Sequence, residues 1–471
     1  MNFKERYLVK NWKIIKQKYI YIILCFFSFM IMSLCFQDTI NYDEFFSMYW
    51  CRWKWQELLQ RLVNDVHPPL YYLLLKCLLD ITNGSMFCAR LLSAVFGILI
   101  LWTGSLFILR NFGKKEALFY VCFIYLNPFM IQKTTEIRMY MIASLFTIIS
   151  GEMTYYILKG AKKRHWIIFY VSSLMAAYTH YYALLTMCFL YAGIILYFIV
   201  TRNKTNIRAW IICAIATVVG YMPWLPIAIK QITNVNGSYW ITMPSSRLAP
   251  LRELFYSRLP YTEHIYLLII VLLSFIAFVT FLKNRSVGSY WTLICNSAVW
   301  GIMIFAILYA KHIRPILVSR YLIMAVCLSI LGISNMIRFL NKNIVIVICV
   351  FCGIVGGMRY ETALLAQSNR NTTYTVEFVE QNVDELDRIV YVSDNYGYYA
   401  NCLKYYFQEI DCISIENFQV EKMEQLAAET AGNVWFFDFN KDISEKIALN
   451  AEEKGEYGFN SNTFKIYKIR K

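Results

Sequence analysis

Charged residues and metal-binding motifs are both scarce in this sequence. Only 16% of the 471 residues are charged, whereas soluble domains carry roughly 25%. The 14 cysteines show no CxxC or Cys/His spacing, and most lie inside apolar runs, where we expect small buried hydrophobic side chains. There is no internal repeat, and the polar C-terminal part has no glycine-rich phosphate loop. These absences argue against an ordinary soluble domain and against a cysteine-based metal centre.

Hydrophobic residues are abundant instead, at 58% of the chain. They are grouped in uncharged runs of about 20 residues, long enough to cross a bilayer, so the sequence predicts a multi-pass membrane protein. The net charge of +15 could suggest a nucleic-acid partner. The basic residues, however, occur in short clusters between the apolar runs, which is typical of signals for membrane orientation. We therefore expect no nucleic-acid partner.

About eleven apolar runs are candidate membrane spans, and residues 1–358 are predicted to form an all-α transmembrane domain. The first run has no small-residue cleavage site after Phe36, so we interpret it as a retained anchor. The predicted spans are Tyr19–Phe36, Leu91–Leu109, Ala117–Ile131, Met139–Leu158, Trp166–Thr179, Ala183–Val200, Ala209–Ile229, His264–Leu282, Val287–Ala310, Tyr321–Ile337 and Ile344–Gly357.

Clusters of lysine and arginine in alternate loops favour a cytoplasmic N-terminus, because cytoplasmic loops are enriched in these residues. The agreement requires that the segment Pro68–Ile81 does not cross the membrane. This segment is short and has Lys76 in its middle. It is predicted to be a helix in the outer interface, with prolines at its first turn. The first outer loop then comprises residues 37–82, and the chain after the last span lies outside the cytoplasm.

The composition changes after the last span, and residues 359–471 are predicted to form a small extracytoplasmic α/β domain. Cys402 and Cys412 could form a disulfide there or remain free. Short apolar runs predict strands at Arg388–Ser393, Cys412–Ile415 and Val434–Phe439, with helices at Tyr398–Gln408 and Val420–Thr430.

Polar motifs are concentrated in the loops that this orientation places outside. In order, they are Asp-Glu at Asp43, Asp-x-His-Pro-Pro-Leu-Tyr-Tyr from Asp65, Glu-x-Arg-Met-Tyr from Glu136, Thr-His-Tyr-Tyr from Thr179 and Ser-Arg-Tyr-Leu from Ser319. This ordered set resembles the GT-C membrane glycosyltransferases. Within them, it is similar to the bacterial branch related to protein O-mannosyltransferases and the aminoarabinose transferases of lipid A. The resemblance extends from about residue 19 to residue 357.

The resemblance implies a GT-C-like fold and an integral membrane glycosyltransferase of the cell membrane. Such enzymes move a hexosyl or pentosyl group from a polyprenyl-phosphate sugar to an acceptor at the outer face, usually with inversion. The acceptor would be a cell-envelope glycan, a lipid or a protein, and membrane lipid would be a further partner. Two other functions remain open. A transporter or flippase of lipid-linked saccharides should line its bundle interior with charge, and a cell-wall polysaccharide polymerase should rely on outer-loop arginines without an early Asp-Glu pair.

The chemistry of sugar transfer assigns roles to the residues in these motifs. An acceptor hydroxyl that attacks the anomeric carbon must lose its proton, so a carboxylate is needed as general base. Asp43 is the candidate, and Glu44 would orient the acceptor. The leaving phosphate gains negative charge, which calls for cationic hydrogen-bond donors. Arg138, Arg320 and Arg90 are candidates because a guanidinium group binds phosphate in a bidentate fork.

The remaining motif residues are expected to complete the site. Asp65 and His67 would form a second polar wall. Some relatives hold a divalent metal there, and with Asp43 and Glu44 these two residues could bind Mg²⁺ or Mn²⁺. Further candidate site residues are Glu136, Tyr140, His180, Tyr181 and Tyr321, of which the tyrosines would line the mouth of a groove for the polyprenyl chain.

Several candidates also have a purely structural interpretation. His67 could cap the helix that follows it, and His180 could satisfy a backbone group at a hairpin tip. Arg90 could extend its side chain to lipid headgroups. Glu136 and Arg138 could pair with each other.

Overall fold

The computed structural model describes residues 18–36, 40–233, 241, 244, 246–367, 371–393, 398–439, 451–459 and 462–469. The described residues fall into two compact units. The first contains those up to Cys35 and those from Lys54 to Thr362, and the second contains those from Phe36 to Trp53 and from Ala363 onward. The first unit is helical and the second contains a sheet. The predicted class, an all-α membrane protein with a small C-terminal α/β domain, is therefore confirmed, while a functional division at residue 358 stays a prediction.

Helices account for most of the described chain. Short 3-10 turns at Ser319–Leu322 and Asn335–Phe339 flank one of them. In chain order the α-helices are α1 (Lys18–Ser33), α2 (Tyr42–Arg52), α3 (Trp55–Asn64), α4 (Leu70–Ile81), α5 (Met86–Asn111), α6 (Lys114–Tyr125), α7 (Pro128–Lys133), α8 (Tyr140–Gly160), α9 (Lys163–Thr179), α10 (Tyr181–Val200), α11 (Lys204–Tyr221), α12 (Leu225–Thr233), α13 (Ala249–Leu254), α14 (Thr262–Asn284), α15 (Val287–His312), α16 (Ile323–Ser334), α17 (Lys342–Gln367), α18 (Asn371–Asn382), α19 (Tyr398–Tyr406) and α20 (Val420–Glu429).

Among the described residues, 7 helical stretches are long and apolar enough to cross a membrane, and a bent pair of helices would make 8. They include α5, α8, α10, α14 and α15, the stretch Ser319–Phe339 around α16, and the stretch that begins at Lys342. Large apolar side chains are exposed on their surfaces and on the neighbouring α11, where Ile212, Ile215 and Val219 face outward. Such a surface suits contact with lipid tails.

Two predicted spans are not continuous. The predicted span Ala117–Ile131 is divided between α6 and α7, because Pro128 starts a new helix whose first turn is capped by Asn127. The predicted span Ala209–Ile229 is divided between α11 and α12, which meet at 69° around Pro223. Proline has no backbone N–H and clashes with the preceding turn, so it ends or bends a helix. The prediction of continuous helices was wrong at both places.

The second unit contains a five-stranded sheet in the order β2-β1-β3-β5-β4. Strand β1 is parallel to its two neighbours β2 and β3, while β5 is antiparallel to both β3 and β4. The three predicted strands are confirmed, whereas the hairpin of β4 and β5 was not predicted. The strands are β1 (Arg388–Val392), β2 (Asp411–Ile415), β3 (Val434–Asp438), β4 (Ala451–Phe459) and β5 (Asn462–Ile469).

Helices cover both faces of this sheet. Ile389 and Tyr391 of β1 pack into one apolar core with α18 and α19, while Val390 between them packs into a second core with α20. This alternation is the period-2 pattern of a strand buried on both faces. Cys402 and Cys412 are both free thiols, so the disulfide alternative is not realised.

Helix α2 packs within the second unit, although it lies early in the sequence. The guanidinium group of Arg52 donates a hydrogen bond to the backbone oxygen of Tyr405 at 2.8 Å and lies 3.9 Å from the centroid of its ring. Phe45 packs edge-on against the same ring, with centroids 5.3 Å apart. These contacts join residues 42–52 to α19, about 350 residues further along the chain. A contact over such a sequence separation cannot be predicted from a local sequence pattern.

Asp387 is a buried carboxylate that holds the start of β1 to the start of β3. It accepts hydrogen bonds from the backbone N–H of Asn433 at 2.5 Å, from the indole N–H of Trp435 at 2.8 Å and from the backbone N–H of Asp384 at 3.3 Å. Burial alone would raise the pKa of Asp387, but these hydrogen bonds outweigh burial and lower the pKa below its ordinary value. The ionised form therefore stabilises the folded unit.

We predict that Asp387→Ala lowers the local free energy of unfolding by about 2–3 kcal/mol, because buried N–H groups lose a charged acceptor. Since the folded pKa lies below the unfolded value, the stabilisation is complete at neutral pH. It is lost as the pH falls below about 4, through the folded pKa. Hydrogen exchange of the β1 and β3 amides in the full chain measures both effects. Asp411→Asn is the control, because the ion pair of Asp411 with Arg388 is partly exposed and is expected to contribute less than about 1 kcal/mol. Equal losses in the two variants would contradict the assignment.

Candidate active site

Most candidate residues of the first unit lie where helices begin or end, whereas Arg90 lies within α5. His67 precedes α4, Arg138 precedes α8, His180 separates α9 from α10, and Tyr321 lies in the 3-10 turn before α16. At such junctions the backbone is irregular and polar side chains find backbone partners. A polar site in an apolar bundle is therefore expected at these helix ends rather than in mid-helix.

His180 is the centre of the group. Its side chain is buried, and its Nδ1 accepts a hydrogen bond from the backbone N–H of Tyr182 at 3.0 Å, which caps α10. The structural role expected for His180 is thus present. Because Nδ1 is an acceptor, a neutral ring carries its proton on Nε2. Among the described residues, Nε2 has no hydrogen-bond partner.

The electrostatic surroundings keep His180 neutral. Burial lowers its pKa well below the ordinary value, and the neighbouring side chains of His67, Arg138 and Arg320 lower the pKa further. At neutral pH the ring is therefore an uncharged N–H donor. Both guanidinium groups act on this single imidazole, so the structure brings the two arginine motifs to one place.

Aromatic rings surround the imidazole of His180. The ring centroid of Tyr321 lies 5.0 Å away, that of Tyr182 5.9 Å, that of His67 6.1 Å and that of Tyr140 6.2 Å. The hydroxyl group of Tyr140 is fully buried and has no hydrogen-bond partner among the described residues. The group thus combines aromatic rings with buried polar atoms, a combination that is common in the lining of small-molecule sites.

Two further contacts hold the cationic side chains of this group. Arg138 is buried and donates a hydrogen bond through Nη1 to the hydroxyl group of Tyr72 at 3.2 Å. Lys133 forms an ion pair with the buried carboxylate of Glu136 at 2.6 Å, and its ammonium group lies 6.0 Å from the ring of Tyr140. Glu136 therefore neutralises the charge of Lys133. This ion pair also orients the segment that carries Arg138.

Asp65 and His67 form a hydrogen-bonded pair, as expected of a polar wall. His67 Nδ1 lies 3.0 Å from Asp65 Oδ2, and both side chains are largely buried. The alternative role of His67 as a helix cap is not realised, since α4 begins without a side-chain cap.

Tyr181 and Arg90 serve other contacts. The hydroxyl group of Tyr181 donates to Gln231, whose amide in turn donates to the backbone oxygen of Leu62 at 2.6 Å. Tyr181 thereby ties α12 to α3. Arg90 is 1% exposed, and its charge acts on the buried thiol of Cys35. Since Arg90 is enclosed by protein, the alternative that its side chain extends to lipid headgroups is wrong.

Asp43 and Glu44 lie in the first turn of α2, in the second unit. The backbone N–H of Glu44 donates to the side chain of Asn41, and the carboxylate of Glu44 accepts from the backbone N–H of Asn41, both at 3.0 Å. This capping box fixes the start of the helix. Glu44 is buried, and Asp43 beside it is half-buried. Two carboxylates at a helix N-terminus are also favoured by the helix dipole.

The residues do not fit the predicted Mg²⁺ or Mn²⁺ site. Within the described parts of the chain, no group of three or more His, Cys, Asp or Glu side chains could hold a metal ion. Asp65 and His67 are bonded to each other, and Glu44 uses its carboxylate in the capping box. The chemistry below is therefore derived from protein side chains alone.

Sequence reasoning did not single out Tyr72 and Lys133 as site residues. Tyr72 ends the Pro-Pro-Leu-Tyr-Tyr motif, and Lys133 lies three residues before Glu136. The second spacing, a lysine and a glutamate at i and i+3, is a signal that could have predicted the ion pair. The contact of Tyr72 with Arg138 joins distant segments and has no local signal.

Solved structures show what the fold is similar to. The crystal structure of ArnT from Cupriavidus metallidurans bound to undecaprenyl phosphate matches 96% of this chain and 98% of its own, with a TM-score of 0.64 and 10% identity. The apo form matches with a TM-score of 0.61 and 10% identity, over 98% of both chains. An Archaeoglobus fulgidus oligosaccharyltransferase matches only with a TM-score of 0.45, at 10% identity, over 94% of this chain and 72% of its own. No family model and no curated protein sequence gives a match. The chain shares the fold of ArnT over nearly its whole length, and the predicted GT-C-like fold is therefore confirmed.

His180 caps α10 and is also the centre of the candidate site, and substitutions can separate these two roles. His180→Asn keeps a side-chain oxygen that can cap α10, so the free energy of unfolding should change by less than about 0.5 kcal/mol from the cap itself. His180→Ala removes the acceptor and should cost about 1 kcal/mol or more. Denaturant unfolding in detergent measures the difference. Ser85→Ala, at the capped start of α5, is the comparison for the loss of one cap. Equal destabilisation by both His180 variants would argue against the capping role.

Proposed function

We propose that this chain is a membrane glycosyltransferase that moves a sugar from a polyprenyl-phosphate donor to an acceptor at the outer face of the cell membrane. The shared fold with ArnT, over nearly the whole length of both chains, supports the reaction class, and that ArnT structure contains undecaprenyl phosphate. The observation that carries the proposal is the buried group of side chains in which Arg138 and Arg320 act on the imidazole of His180. This group would form the wall of a donor pocket.

The phosphate of the sugar donor would bind to this pocket. Positive charge buried among apolar helices is costly, so it indicates an anionic ligand or a catalytic role. Guanidinium groups grip phosphate oxygens in a bidentate fork, and the Nε2–H of His180 supplies an uncharged donor beside them. Negative charge grows on the phosphate as its bond to the anomeric carbon breaks. Fixed donors in a water-poor pocket stabilise that charge most strongly in the transition state.

The acceptor hydroxyl needs a base, and we assign this role to Asp43. The hydroxyl oxygen attacks the anomeric carbon, its proton passes to the carboxylate of Asp43, and the sugar–phosphate bond breaks on the opposite side, which inverts the configuration. Glu44 acts as a positioning residue, because its carboxylate caps the helix that presents Asp43. A single displacement of this kind needs one base and no covalent intermediate.

The polyprenyl chain requires an apolar surface that continues from the pocket. Tyr140 and Tyr321 line the pocket itself, and their rings suit the change from phosphate to isoprenoid. The aromatic wall also excludes water, which limits hydrolysis of the sugar donor.

The orientation is part of the proposal. A cytoplasmic N-terminus follows from the lysines and arginines of alternate loops and places the polar motifs and residues 359–471 outside the cytoplasm. The C-terminal α/β domain would then be available to select the acceptor, which is a cell-envelope glycan, a lipid or a protein.

A donor panel tests the reaction class directly. Purified protein in detergent is incubated with undecaprenyl-phosphate sugars and with the corresponding nucleotide sugars. We expect one lipid-linked sugar to be consumed, with release of undecaprenyl phosphate. Consumption of a nucleotide sugar, or of no sugar in the presence of a cell-envelope extract as acceptor source, would contradict the proposal.

Asp43→Asn should lower the rate of transfer by about 10²–10⁴-fold, the usual contribution of a general base. Glu44→Gln should keep at least about one tenth of the rate, because glutamine also completes a capping box. Membrane insertion and thermal unfolding of both variants should match the parent chain. Full activity in Asp43→Asn would remove Asp43 as the base, and equal losses in both variants would assign the two carboxylates a common role.

Arg138→Gln should lower kcat/KM for the sugar donor by about 10²–10³-fold, as expected for one donor to a developing anion. Arg138→Lys should recover part of this loss only, since lysine keeps the charge but not the fork. Tyr72→Phe tests the structural contact by itself, because it removes the hydrogen bond to Arg138 and leaves the charge of Arg138 in place. Arg247→Gln, at an exposed position, is the control. An equal loss in Tyr72→Phe and Arg138→Gln would indicate a structural role for Arg138.

A further inference from the structure

A cavity lined by cationic side chains lies away from the candidate active site, at the junction of α8 and α9. A cavity of about 470 Å³ is lined by residues from the end of α8 and the start of α9, among them Tyr156, Lys159, Lys162, Arg164, His165 and Ile168. The helix α8 runs from Tyr140 in the candidate active site to Gly160 at this cavity. At 1.5 Å per residue the two places are separated by about 30 Å. The cavity is therefore distinct from the candidate active site.

His165 is the buried polar group of this cavity, and its surroundings contain one hydrogen-bond donor too many. The backbone N–H of Lys162 points at Nδ1, at 3.3 Å, and the Nε–H of Arg164 points at Nε2, at 3.4 Å. A neutral imidazole has only one nitrogen that accepts. Whichever nitrogen carries the proton, one N–H group meets another donor. An anionic oxygen beside the ring would accept from the N–H group that has no acceptor and remove the conflict.

The other residues of the cavity supply aromatic packing and positive charge, which would favour such an oxygen. The imidazole of His165 is stacked on the ring of Tyr156, with centroids 5.1 Å apart and planes inclined by 25°. Tyr156 is itself held by a hydrogen bond from Asn111 at 3.0 Å. Lys159, Lys162 and Arg164 add three positive charges, and none of the described residues that line the cavity is acidic. The cavity therefore has aromatic rings at its base and cationic side chains at its rim.

The apolar part of the cavity favours a lipid over a soluble anion. Ile168 lines the cavity and follows Arg164 by four residues, so both lie on one face of α9. Along the same face, Ile168 is 42% exposed and Val171 is 43% exposed. The cationic groups are thus followed along the helix by an exposed apolar strip, which would contact an acyl chain. A soluble phosphate ion has no apolar part that could contact this strip.

We propose that this cavity binds the phosphate headgroup of an anionic membrane lipid, at the end of the helix bundle opposite the candidate active site. Clusters of basic residues where helices leave the membrane recognise such headgroups by charge and hydrogen bonding. The proposal concerns binding only and does not depend on the transferase reaction.

Native mass spectrometry of the purified full chain in detergent tests the proposal. The probes are phosphatidylglycerol, phosphatidylcholine and inorganic phosphate. We expect one phosphatidylglycerol to bind in preference to phosphatidylcholine, and inorganic phosphate at tenfold excess not to displace it. In the double variant Lys162→Gln/Arg164→Gln the affinity should fall about thirtyfold, since each cation near a membrane surface contributes about fivefold.

The control is Lys204→Gln/Arg208→Gln, which removes two exposed cations near the start of α11. Its affinity for phosphatidylglycerol should equal that of the parent chain. Lys159→Gln is a second test at the cavity rim, with an expected loss of about fivefold. Thermal unfolding is compared for all variants. The proposal is overturned if phosphatidylglycerol shows no preference, if the double variant binds as well as the control, or if inorganic phosphate displaces the lipid.

Discussion

The structure of the first unit depends on one constraint: a polar group surrounded by apolar helices must find a partner within the chain. Helices satisfy this for the backbone. The charged and polar side chains satisfy the same constraint because they lie at the helix junctions, where partners are available. Lys133 pairs with Glu136, Asp65 with His67, and Arg138 contacts Tyr72. The geometry of the candidate active site is a consequence of where such partners are available.

Single residues meet this constraint and serve the site at the same time. His180 caps α10 through one ring nitrogen, and the requirement of that cap places the proton on the other nitrogen. Glu44 caps α2 through its carboxylate and thereby fixes the backbone beside Asp43. A side chain that is locked by a backbone contact loses little freedom when a ligand binds, which favours preorganised electrostatic stabilisation. The structural and functional interpretations of His180 are therefore compatible rather than exclusive.

Much of the fold could be predicted because membrane helices and buried strands carry strong local signals. The apolar runs predicted the helices of the first unit, and short apolar runs predicted β1, β2 and β3. The errors also have physical reasons. Pro223 bends a run whose composition is uniformly apolar, so hydropathy alone does not report the break. The strand β4 is an edge strand with charged side chains and a bulge near Gly455, and such strands lack the apolar pattern of a buried strand.

The sequence by itself determined the membrane class, the approximate helices and the motifs that provide arginine, histidine and tyrosine, because hydropathy, charge clusters and motif order are local properties of the chain. Only the tertiary structure decided that Arg138 and Arg320 act on one imidazole, that Arg90 is enclosed, and that α2 packs on α19. It also placed the basic residues at the junction of α8 and α9 along one cavity with His165. These outcomes depend on contacts between residues far apart in sequence, and each is set by which partner is near enough to satisfy a buried charge or hydrogen bond.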